Sequence, residues 1–470
     1  MLFNSFVFWA FFAVVIVIYW RLNHRGQNFL LLIASYVFYG YWDWRFLGLI
    51  AFSTIVDFIV AQELEKKSSQ NIRRRWLLLS LCSNLGLLGF FKYFGFFAAE
   101  FAILLESLGF HASMPTLNII LPVGISFYTF QTLAYTIDVY RCQTKPTKNL
   151  LDFSVYVSFF PQLVAGPIER SKDLLPQIVN ARTFTKGAFS EGLYHVLIGM
   201  FKKVVIADNM APIANQVFAT PVSDLNGTEI LIGIYAFAFQ IYGDFSGYSS
   251  IAQGIAKWLG INLSWNFRMP YFSRTPSEFW QRWHITLSSW LRDYLYIPLG
   301  GSRHGTFNTF RNLVMTMFLG GLWHGANWTF AVWGLAHGII LVIYHALEPI
   351  TKKVLIPGIV GKIIAAIIFF HLVCITWLLF RAENLGQAVA MFGQLFHSFA
   401  MTDFSLYSLG MLTFFALPIL VLELIIERSG DMLYVLRRHW LIQGLIYSYF
   451  IFMLIIFPPL TPQVFIYFQF

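Results

Sequence analysis

The sequence contains few charged residues. Only 12% of its 470 residues are Asp, Glu, Lys or Arg, whereas 57% are apolar and 19% aromatic, and the mean hydropathy is +0.64. Soluble proteins average about a quarter charged residues, so the composition excludes a soluble domain of ordinary size and indicates an integral membrane protein. Long apolar runs favour helices over the short alternating strands of a membrane barrel. We therefore predict an all-α polytopic membrane protein.

Cysteine is also scarce. The three cysteines, Cys82, Cys142 and Cys374, are scattered without paired spacing, which argues against a disulfide framework and against a thiolate metal site. The first apolar run, 1–20, has no basic stretch before it and no small-residue cleavage site after it. We therefore expect this run to be the first membrane helix and not a removable signal peptide.

Acidic residues are fewer than basic ones, and the formal net charge is +9. In a soluble protein this excess would suggest nucleic acid, but in a membrane protein the Lys and Arg of cytoplasmic loops explain it. Basic residues follow the first, third and fifth apolar runs, as at Arg21, Arg73 and Lys145. We predict that these loops are cytoplasmic, that the N-terminus starts outside, and that the chain binds membrane lipid and no nucleic acid.

The apolar runs are long enough for many membrane helices. A spanning helix needs about 20 mostly apolar residues, which leaves room for roughly ten to twelve. The predicted spans are 4–20, 28–41, 46–63, 76–98, 118–139, 188–206, 229–257, 311–322, 328–347, 359–380, 404–426 and 440–457. The apolar segments 152–165, 276–297 and 387–399 are too short or too broken to cross alone. We expect them to be re-entrant or interfacial, because irregular backbone at membrane depth needs protein or a water-filled cavity around it.

The middle of the chain interleaves polar residues, glycines and aromatics, and it places a histidine in an apolar stretch. His324 lies in the segment 320–328, which reads GGLWHGANW. An ionisable group at membrane depth is costly and is a functional-site hypothesis by default. The glycines allow close backbone approach, and Trp323 and Trp328 are expected to wall the site. A neutral imidazole here could act as a general base, and a histidine that only satisfies buried neighbours is an equal alternative.

A second histidine, His284, lies between two tryptophan-rich turns and precedes an amphipathic run, 285–298. From Arg268 to Arg311 there are six arginines and only two acidic residues. Arginine binds phosphate groups bidentately, so this stretch is a candidate site for a phosphate-bearing donor. Taken alone, a basic flank of an interfacial helix is the simpler explanation.

Other ionisable residues allow more than one interpretation. Asp244 could orient a histidine or cap a break in a helix, and capping is the commoner role. His337 and His345 have the spacing of one helix face, but no further ligand completes a metal or haem site, so we assign them to packing. Tyr467, in the aromatic terminal segment, is either part of an interfacial belt or a phenol that could be acylated.

Taken together, these motifs resemble the membrane-bound O-acyltransferase family, in its bacterial polysaccharide-acetylating branch. The resemblance covers nearly the whole chain and rests on the segments 122–131, 160–170, 242–248, 280–289, 294–301, 322–328 and 465–470. It implies one transmembrane domain over 1–470 in which about eleven membrane helices and re-entrant pieces surround a central tunnel. The implied catalytic core is 118–347, and 465–470 is an acyl-relay motif.

The resemblance also implies roles for single residues. His324 in the tunnel, His284 as the second signature position and Tyr467 as an acyl relay are the implied catalytic residues. The predicted tunnel lining comprises Gln162, Asp244, Trp283, Trp323 and Asn327. The predicted contacts to donor phosphates are Arg282, Arg292 and Arg303. No metal or bound cofactor is expected, and acetyl-CoA or an acyl carrier is the co-substrate.

The implied reaction moves an acetyl group across the bacterial cytoplasmic membrane for O-acetylation of an exported polysaccharide, alginate-like or peptidoglycan. An extracytoplasmic partner transferase of the SGNH type is expected to collect it. Within the same family, D-alanyl transfer to teichoic acid from a carrier protein is an alternative, and lipid acylation is another. A polysaccharide or ion transporter would also have broken helices, but the sequence has no visible inverted repeat. A histidine-ligated haem protein would have a visible absorption band.

Overall fold

The computed structural model describes residues 1–66, 69–110, 119–354, 358–459, 463 and 465–466, without the side chains of 349–354. This described part is helical and contains no strand, which confirms the all-α prediction. It divides into two compact units, Met1–Gly192 with Ile255–Ser264, and Leu193–Gly254 with Trp265–Phe470. The functional division into one domain with a core at 118–347 stays a prediction.

The first unit is built from apolar helices. They are α1 Phe6–Tyr19, α2 His24–Asp43, α3 Leu47–Glu65, α4 Gln70–Leu88, α5 Phe94–Ser107, α6 Ile125–Tyr140, α7 Leu150–Ser158, α8 Phe160–Leu163 and α9 Ser171–Val179. Short polar side chains start several of them, as where Ser5 accepts the backbone N–H of Phe8 at 3.2 Å. Such caps satisfy backbone donors that have no partner within the helix.

The start of α6 differs from the sequence-based expectation. The predicted span began at 118, whereas the helix begins at Ile125. Gly124 precedes it with φ +76°, and a Cβ atom there would lie 2.7 Å from the carbonyl oxygen of Leu163. A left-handed residue in such a tight place must be glycine, and it delays the first helical turn.

The second unit contains the remaining helices, and α10 Lys186–Met200 begins in the first unit and continues into it. The others are α11 Asp208–Ala219, α12 Gly227–Trp258, α13 Pro276–Arg282, α14 Ile285–Leu291, α15 Gly305–His324, α16 Trp328–Val354, α17 Gly358–Arg381, α18 Leu385–Gln394, α19 Asp403–Ser429 and α20 Trp440–Ile456. The last residues of α12 belong to the first unit. A π-helical stretch, Phe201–Ala207, joins α10 to α11.

Six helical runs in the described residues are long and apolar enough to cross a membrane, and α1 and α20 are shorter apolar helices. The six are His24–Glu65, Gln70–Ser107, Gly227–Trp258, Trp328–Glu348, Gly358–Arg381 and Asp403–Ser429. Each predicted span overlaps a helix, and the chain is a multi-pass membrane protein. The number of membrane helices stays a prediction.

The segments expected to be re-entrant contain short helices. The segment 276–297 divides into α13, α14 and a π-helical stretch, Arg292–Tyr296. The segment 152–165 holds most of α7 and the single turn α8, and 387–399 holds most of α18. Helices of this length do not cross a bilayer alone, as expected. Their depth in the membrane stays a prediction.

Candidate active site

His324 is the last residue of α15, in the second unit. Its side chain is buried, and the whole residue is 4% exposed. Three aromatic rings meet it nearly edge to face, Trp323 at 5.1 Å, Trp333 at 5.2 Å and Phe380 at 5.3 Å between ring centroids. Most of the imidazole therefore lies in a low-dielectric aromatic enclosure, where electrostatic interactions are stronger than in water.

The enclosure depends on the close approach of α15 and α16. A Cβ atom at Gly321 would lie 2.3 Å from the carbonyl oxygen of Phe330, and one at Gly325 would lie 2.2 Å from its ring. Only glycine permits such contacts. The predicted role of these glycines in close backbone approach is confirmed, and the chain turns directly after His324.

His284 lies between α13 and α14, outside the candidate membrane spans, and is completely buried. Its backbone has φ +41° and ψ +54°, a left-handed conformation that is uncommon for residues other than glycine, although asparagine, aspartate and histidine adopt it more often than the rest. Its ring contacts Phe245 at 4.6 Å and Trp323 at 5.8 Å. Strained backbone of this kind persists where the surrounding packing fixes it, and it occurs often at functional sites.

Asn266 fixes the tautomer of His284. Its Oδ1 atom accepts the backbone N–H of Thr286 at 3.3 Å and the Thr286 hydroxyl at 2.9 Å, and it lies 3.1 Å from Nδ1 of His284. Because this oxygen acts as an acceptor, Nδ1 of His284 carries the proton and Nε2 carries the lone pair. Burial lowers the pKa of His284 to about 3, so the ring is neutral at physiological pH.

The two histidines, 40 residues apart in the sequence, lie together. Their ring centroids are 6.4 Å apart, and Trp323 contacts both rings. The structure therefore brings the two histidine motifs to one place in the second unit. Their catalytic roles stay predictions.

The predicted tunnel-lining tryptophans differ in position. Trp283 is 1% exposed and packs against Trp377 at 5.0 Å, and Trp323 is 3% exposed. Trp328, expected to wall the site, is 45% exposed. The sequence reasoning missed Trp333, which contacts His324 from further along α16. Helical periodicity could have singled it out, because Trp333 and Trp328 face different sides of the helix.

Asn327 hydrogen bonds at the start of α16. Its Oδ1 atom accepts the backbone N–H of Thr329 at 3.0 Å, and its amide donates to the carbonyl of Glu383 at 3.0 Å. These bonds cap the start of α16. Lining of a tunnel by Asn327 stays a prediction.

Asp244 lies within α12, which runs unbroken through it. The interpretation of Asp244 as the cap of a helix break is therefore wrong. Its carboxylate instead contacts Nζ of Lys203 at 2.8 Å and accepts the backbone N–H of Ile466 at 2.7 Å. Asp244 thus links the buried Lys203 ammonium to the backbone of Ile466.

The three arginines predicted to bind phosphate differ in availability. The Arg282 guanidinium is held by two carboxylates, Glu278 at 2.7 Å and Glu427 at 2.7 Å, so most of its donors are occupied. Arg292 pairs with the neighbouring Asp293 at 2.8 Å, and its side chain is 63% exposed. Arg303 is exposed in the loop after the π-helical stretch.

The remaining predicted site residues are Gln162 and Tyr467. Gln162 belongs to the first unit, where it is 2% exposed and its amide donates to Gln131 at 3.0 Å. Tyr467 lies outside the described residues. His337, assigned to packing, hydrogen bonds through Nε2 to Thr376 at 3.0 Å. Among the described residues, no group of three or more His, Cys, Asp or Glu could hold a metal ion.

A polar cavity of about 40 Å³ lies in the second unit beside Asn266. Lys202 and Glu423 reach it and form a buried ion pair at 2.7 Å, and the Tyr242 hydroxyl donates to the same carboxylate at 2.5 Å. The sequence reasoning missed Lys202 as a site residue. Its signal was present, because two consecutive lysines inside a predicted span are a functional hypothesis by default.

Comparison with known proteins identifies the family of the chain. Residues 145–381 match the membrane-bound O-acyltransferase family, and the chain belongs to that family. It is 44% identical over 403 residues, 84% of this chain and 78% of the other, to a probable alginate O-acetylase AlgI of Azotobacter vinelandii. It is 38% identical over 421 residues, 83% and 78% of the two chains, to the peptidoglycan O-acetyltransferase of Helicobacter pylori.

A teichoic acid D-alanyltransferase of Bacillus subtilis is more distant, at 27% identity over 292 residues, 57% of this chain and 71% of the other. The family match and these relatives show that the chain is a membrane acyltransferase. The expectations of an enzyme and of this family are confirmed.

Proposed function

We propose that the chain moves an acetyl group from acetyl-CoA, bound at the cytoplasmic face, across the bacterial cytoplasmic membrane for O-acetylation of an exported polysaccharide. The relatives named for alginate and for peptidoglycan acetylation support this activity, at 44% and 38% identity. The observation that carries it is the buried pair His284 and His324, whose ring centroids are 6.4 Å apart in an aromatic enclosure.

In the proposed reaction His324 accepts the proton of an acceptor hydroxyl while the hydroxyl oxygen attacks the thioester carbonyl. A C–O bond forms, the C–S bond breaks, and the leaving thiolate takes the proton from His324. The histidine therefore returns to its neutral form. The surrounding aromatic rings exclude water, which would otherwise hydrolyse the thioester.

His284 places a second neutral imidazole beside His324, with the ring centroids 6.4 Å apart. A hydroxyl carries one proton and therefore donates to one of these rings at a time. Because Nδ1–H of His284 donates to Asn266, Nε2 is the atom through which His284 would accept. The two rings would thus offer the acceptor hydroxyl two adjacent hydrogen-bond positions, of which His324 is the one used during attack.

Access to the rings is part of the proposal. His324 is 4% exposed and His284 is fully buried, so the expected tunnel must open at the side chains around them. Phe380 and Trp333 cover His324, and rotation of these rings would admit a thioester arm. Conformational gating of this kind is common in enzymes that exclude water.

The donor headgroup would stay at the cytoplasmic face, because its phosphates cannot enter lipid. We assign these phosphates to Arg292 and Arg303, whose side chains are exposed. Arg282 is a weaker candidate, since Glu278 and Glu427 occupy its guanidinium. Tyr467 would receive the acetyl group and pass it to an extracytoplasmic partner of the SGNH type.

D-alanyl transfer to teichoic acid is the second candidate, and the Bacillus subtilis relative favours it at 27% identity. In that case a carrier protein would present the thioester and would need a docking surface at the cytoplasmic face. The two candidates differ in their donor, so the donor is what an experiment must identify.

The test uses the purified full chain in liposomes with either labelled acetyl-CoA or a D-alanyl carrier protein as donor. We expect label from acetyl-CoA in the C-terminal peptide, measured by intact mass after digestion. Transfer from the carrier alone would favour the second candidate. An unlabelled peptide during turnover with a polysaccharide acceptor would refute the relay at Tyr467 and leave direct transfer.

A further inference from the structure

Two residues near the end of the sequence, Phe465 and Ile466, are held in the core of the second unit. Chain ends normally fray, yet Phe465 and Ile466 are each 1% exposed. The backbone N–H of Ile466 donates to Oδ2 of Asp244 at 2.7 Å. A charged acceptor in a buried position makes this hydrogen bond stronger than an ordinary backbone bond.

The acceptor belongs to a buried charge cluster. Nζ of Lys203 lies 2.7 Å from Oδ1 of Asp208, 2.8 Å from Oδ1 of Asp244 and 3.4 Å from the carbonyl oxygen of Gln463. All three side chains of the ion cluster are less than a tenth exposed. Two carboxylates and one ammonium leave a formal charge of −1, so the N–H of Ile466 and the Lys203 ammonium together stabilise Asp244.

The same part of α12 faces the histidines. Phe245 follows Asp244 directly, and its ring lies 4.6 Å from His284 and 6.3 Å from Phe465. Phe465 also packs against Tyr248 at 5.0 Å. Phe245 therefore lies between His284 and Phe465, next to the residue that accepts the hydrogen bond of Ile466.

We propose that Asp244 is a positioning residue that fixes Phe465 and Ile466 near His284 and so supports acyl transfer to Tyr467, the next residue in the sequence. This inference rests on the proposed function, in which Tyr467 receives the acyl group. Asp244 takes no part in bond making or proton transfer. It acts by holding the backbone of Ile466, which directly precedes Tyr467 in the chain.

The test measures backbone hydrogen exchange of the C-terminal peptide in the full chain, in detergent, by mass spectrometry. Asp244→Leu removes the acceptor of the Ile466 N–H and leaves Lys203 paired with Asp208. We expect the terminal peptide to exchange roughly 10- to 100-fold faster in this variant, as follows from the loss of one hydrogen bond to a charged group.

Asp208→Asn is the matched control. It also reduces the cluster to one lysine and one carboxylate, but it keeps the acceptor of the Ile466 N–H. We expect wild-type exchange in this variant. Asp244→Asn retains one side-chain oxygen and should restore most of the protection that Asp244→Leu loses, which a role in overall folding alone would not predict.

Labelling of the C-terminal peptide by acetyl-CoA is measured on the same variants. A fall of about tenfold or more in Asp244→Leu, relative to Asp208→Asn, is expected from a misplaced acceptor. Equal exchange in Asp244→Leu and wild type would overturn the proposal, and so would faster exchange without a loss of labelling. If Asp244→Leu does not fold, Ile466→Pro removes the same hydrogen bond from the other side, and unchanged labelling there overturns it.

Failure of the proposed function is distinguishable, because it appears in the wild-type chain as no transfer from acetyl-CoA to the polysaccharide, and failure of the relay alone appears there as an unlabelled peptide during turnover. The exchange comparison does not depend on that result.

Discussion

Asn266 lies 3.1 Å from His284, and this contact determines which nitrogen of a buried imidazole carries the proton. The assignment is firm because the same oxygen also accepts the backbone N–H of Thr286. An amide so placed cannot be turned to donate. The proton therefore sits on Nδ1, and Nε2 carries the lone pair.

Replacing Asn266 by alanine is expected to lower kcat for acetyl transfer by about 10- to 100-fold, a part of what general-base assistance contributes. The physical reason is that His284 loses its tautomer preference and ring orientation. Initial rates with labelled acetyl-CoA measure the effect. Ser249→Ala is the control, because the amide nitrogen of Asn266 donates only a long hydrogen bond, of 3.4 Å, to the Ser249 hydroxyl. Equal losses of kcat in both variants would contradict the assigned role of the Asn266 oxygen.

Replacing His324 by glutamine is expected to reduce acetyl transfer at least 100-fold, since the amide cannot accept and release the proton. Glutamine fills most of the space, so the aromatic enclosure should remain and the melting temperature should change little. His345→Gln removes a partly exposed histidine on α16 and should retain activity. A His324→Gln protein with wild-type turnover would rule out His324 as the base.

Replacing Gly321 by alanine is expected to destabilise the protein by about 1–3 kcal/mol, because the added methyl group overpacks the contact with Phe330. The separation of α15 from α16 would also displace His324 and lower activity. Thermal unfolding in detergent measures the stability. Gly410→Ala in α19 is the control, since a Cβ atom there meets nothing within 4 Å; a loss as large as that of Gly321→Ala would refute the steric explanation.

Replacing Glu423 by leucine is expected to lower the free energy of unfolding by about 3–5 kcal/mol, because Lys202 would be left as a buried charge without its carboxylate. The double variant with Lys202→Met should cost less than the sum of the two single variants. Chemical denaturation of all four proteins gives this coupling. The pair of Arg45 and Asp43, in which the Arg45 side chain is 60% exposed, serves as a control, and Arg45→Ala should have little effect on the free energy of unfolding. Additive losses at Lys202 and Glu423 would count against a coupled pair.

Much of the fold follows from local sequence. Apolar runs placed a helix at every predicted span, and the surroundings of His284 and His324 were visible as two interrupted, tryptophan-rich motifs. These features depend on residues within a few turns of one another. The start of α6 was misjudged because Gly124, left-handed and tightly packed, allows no earlier turn.

The rest of the site depends on distant pairs that no local pattern contains. Glu423 meets Lys202 across 221 residues of sequence, and Glu427 occupies Arg282 across 145. An arginine in a basic stretch looked available for phosphate until its partner was known. Asp244 was similarly ambiguous, since its partner Ile466 lies 222 residues away.

The left-handed backbone of His284 restricts what can replace it. A β-branched or bulky side chain would meet a steric penalty at that φ value before its chemistry mattered. Asparagine tolerates the conformation best among polar alternatives. His284→Asn is therefore the substitution that separates the loss of the titratable ring from a disruption of the backbone conformation. A mutational library at this position should therefore begin with asparagine, aspartate and glycine, and inactive variants with valine or isoleucine there would say nothing about acid–base chemistry.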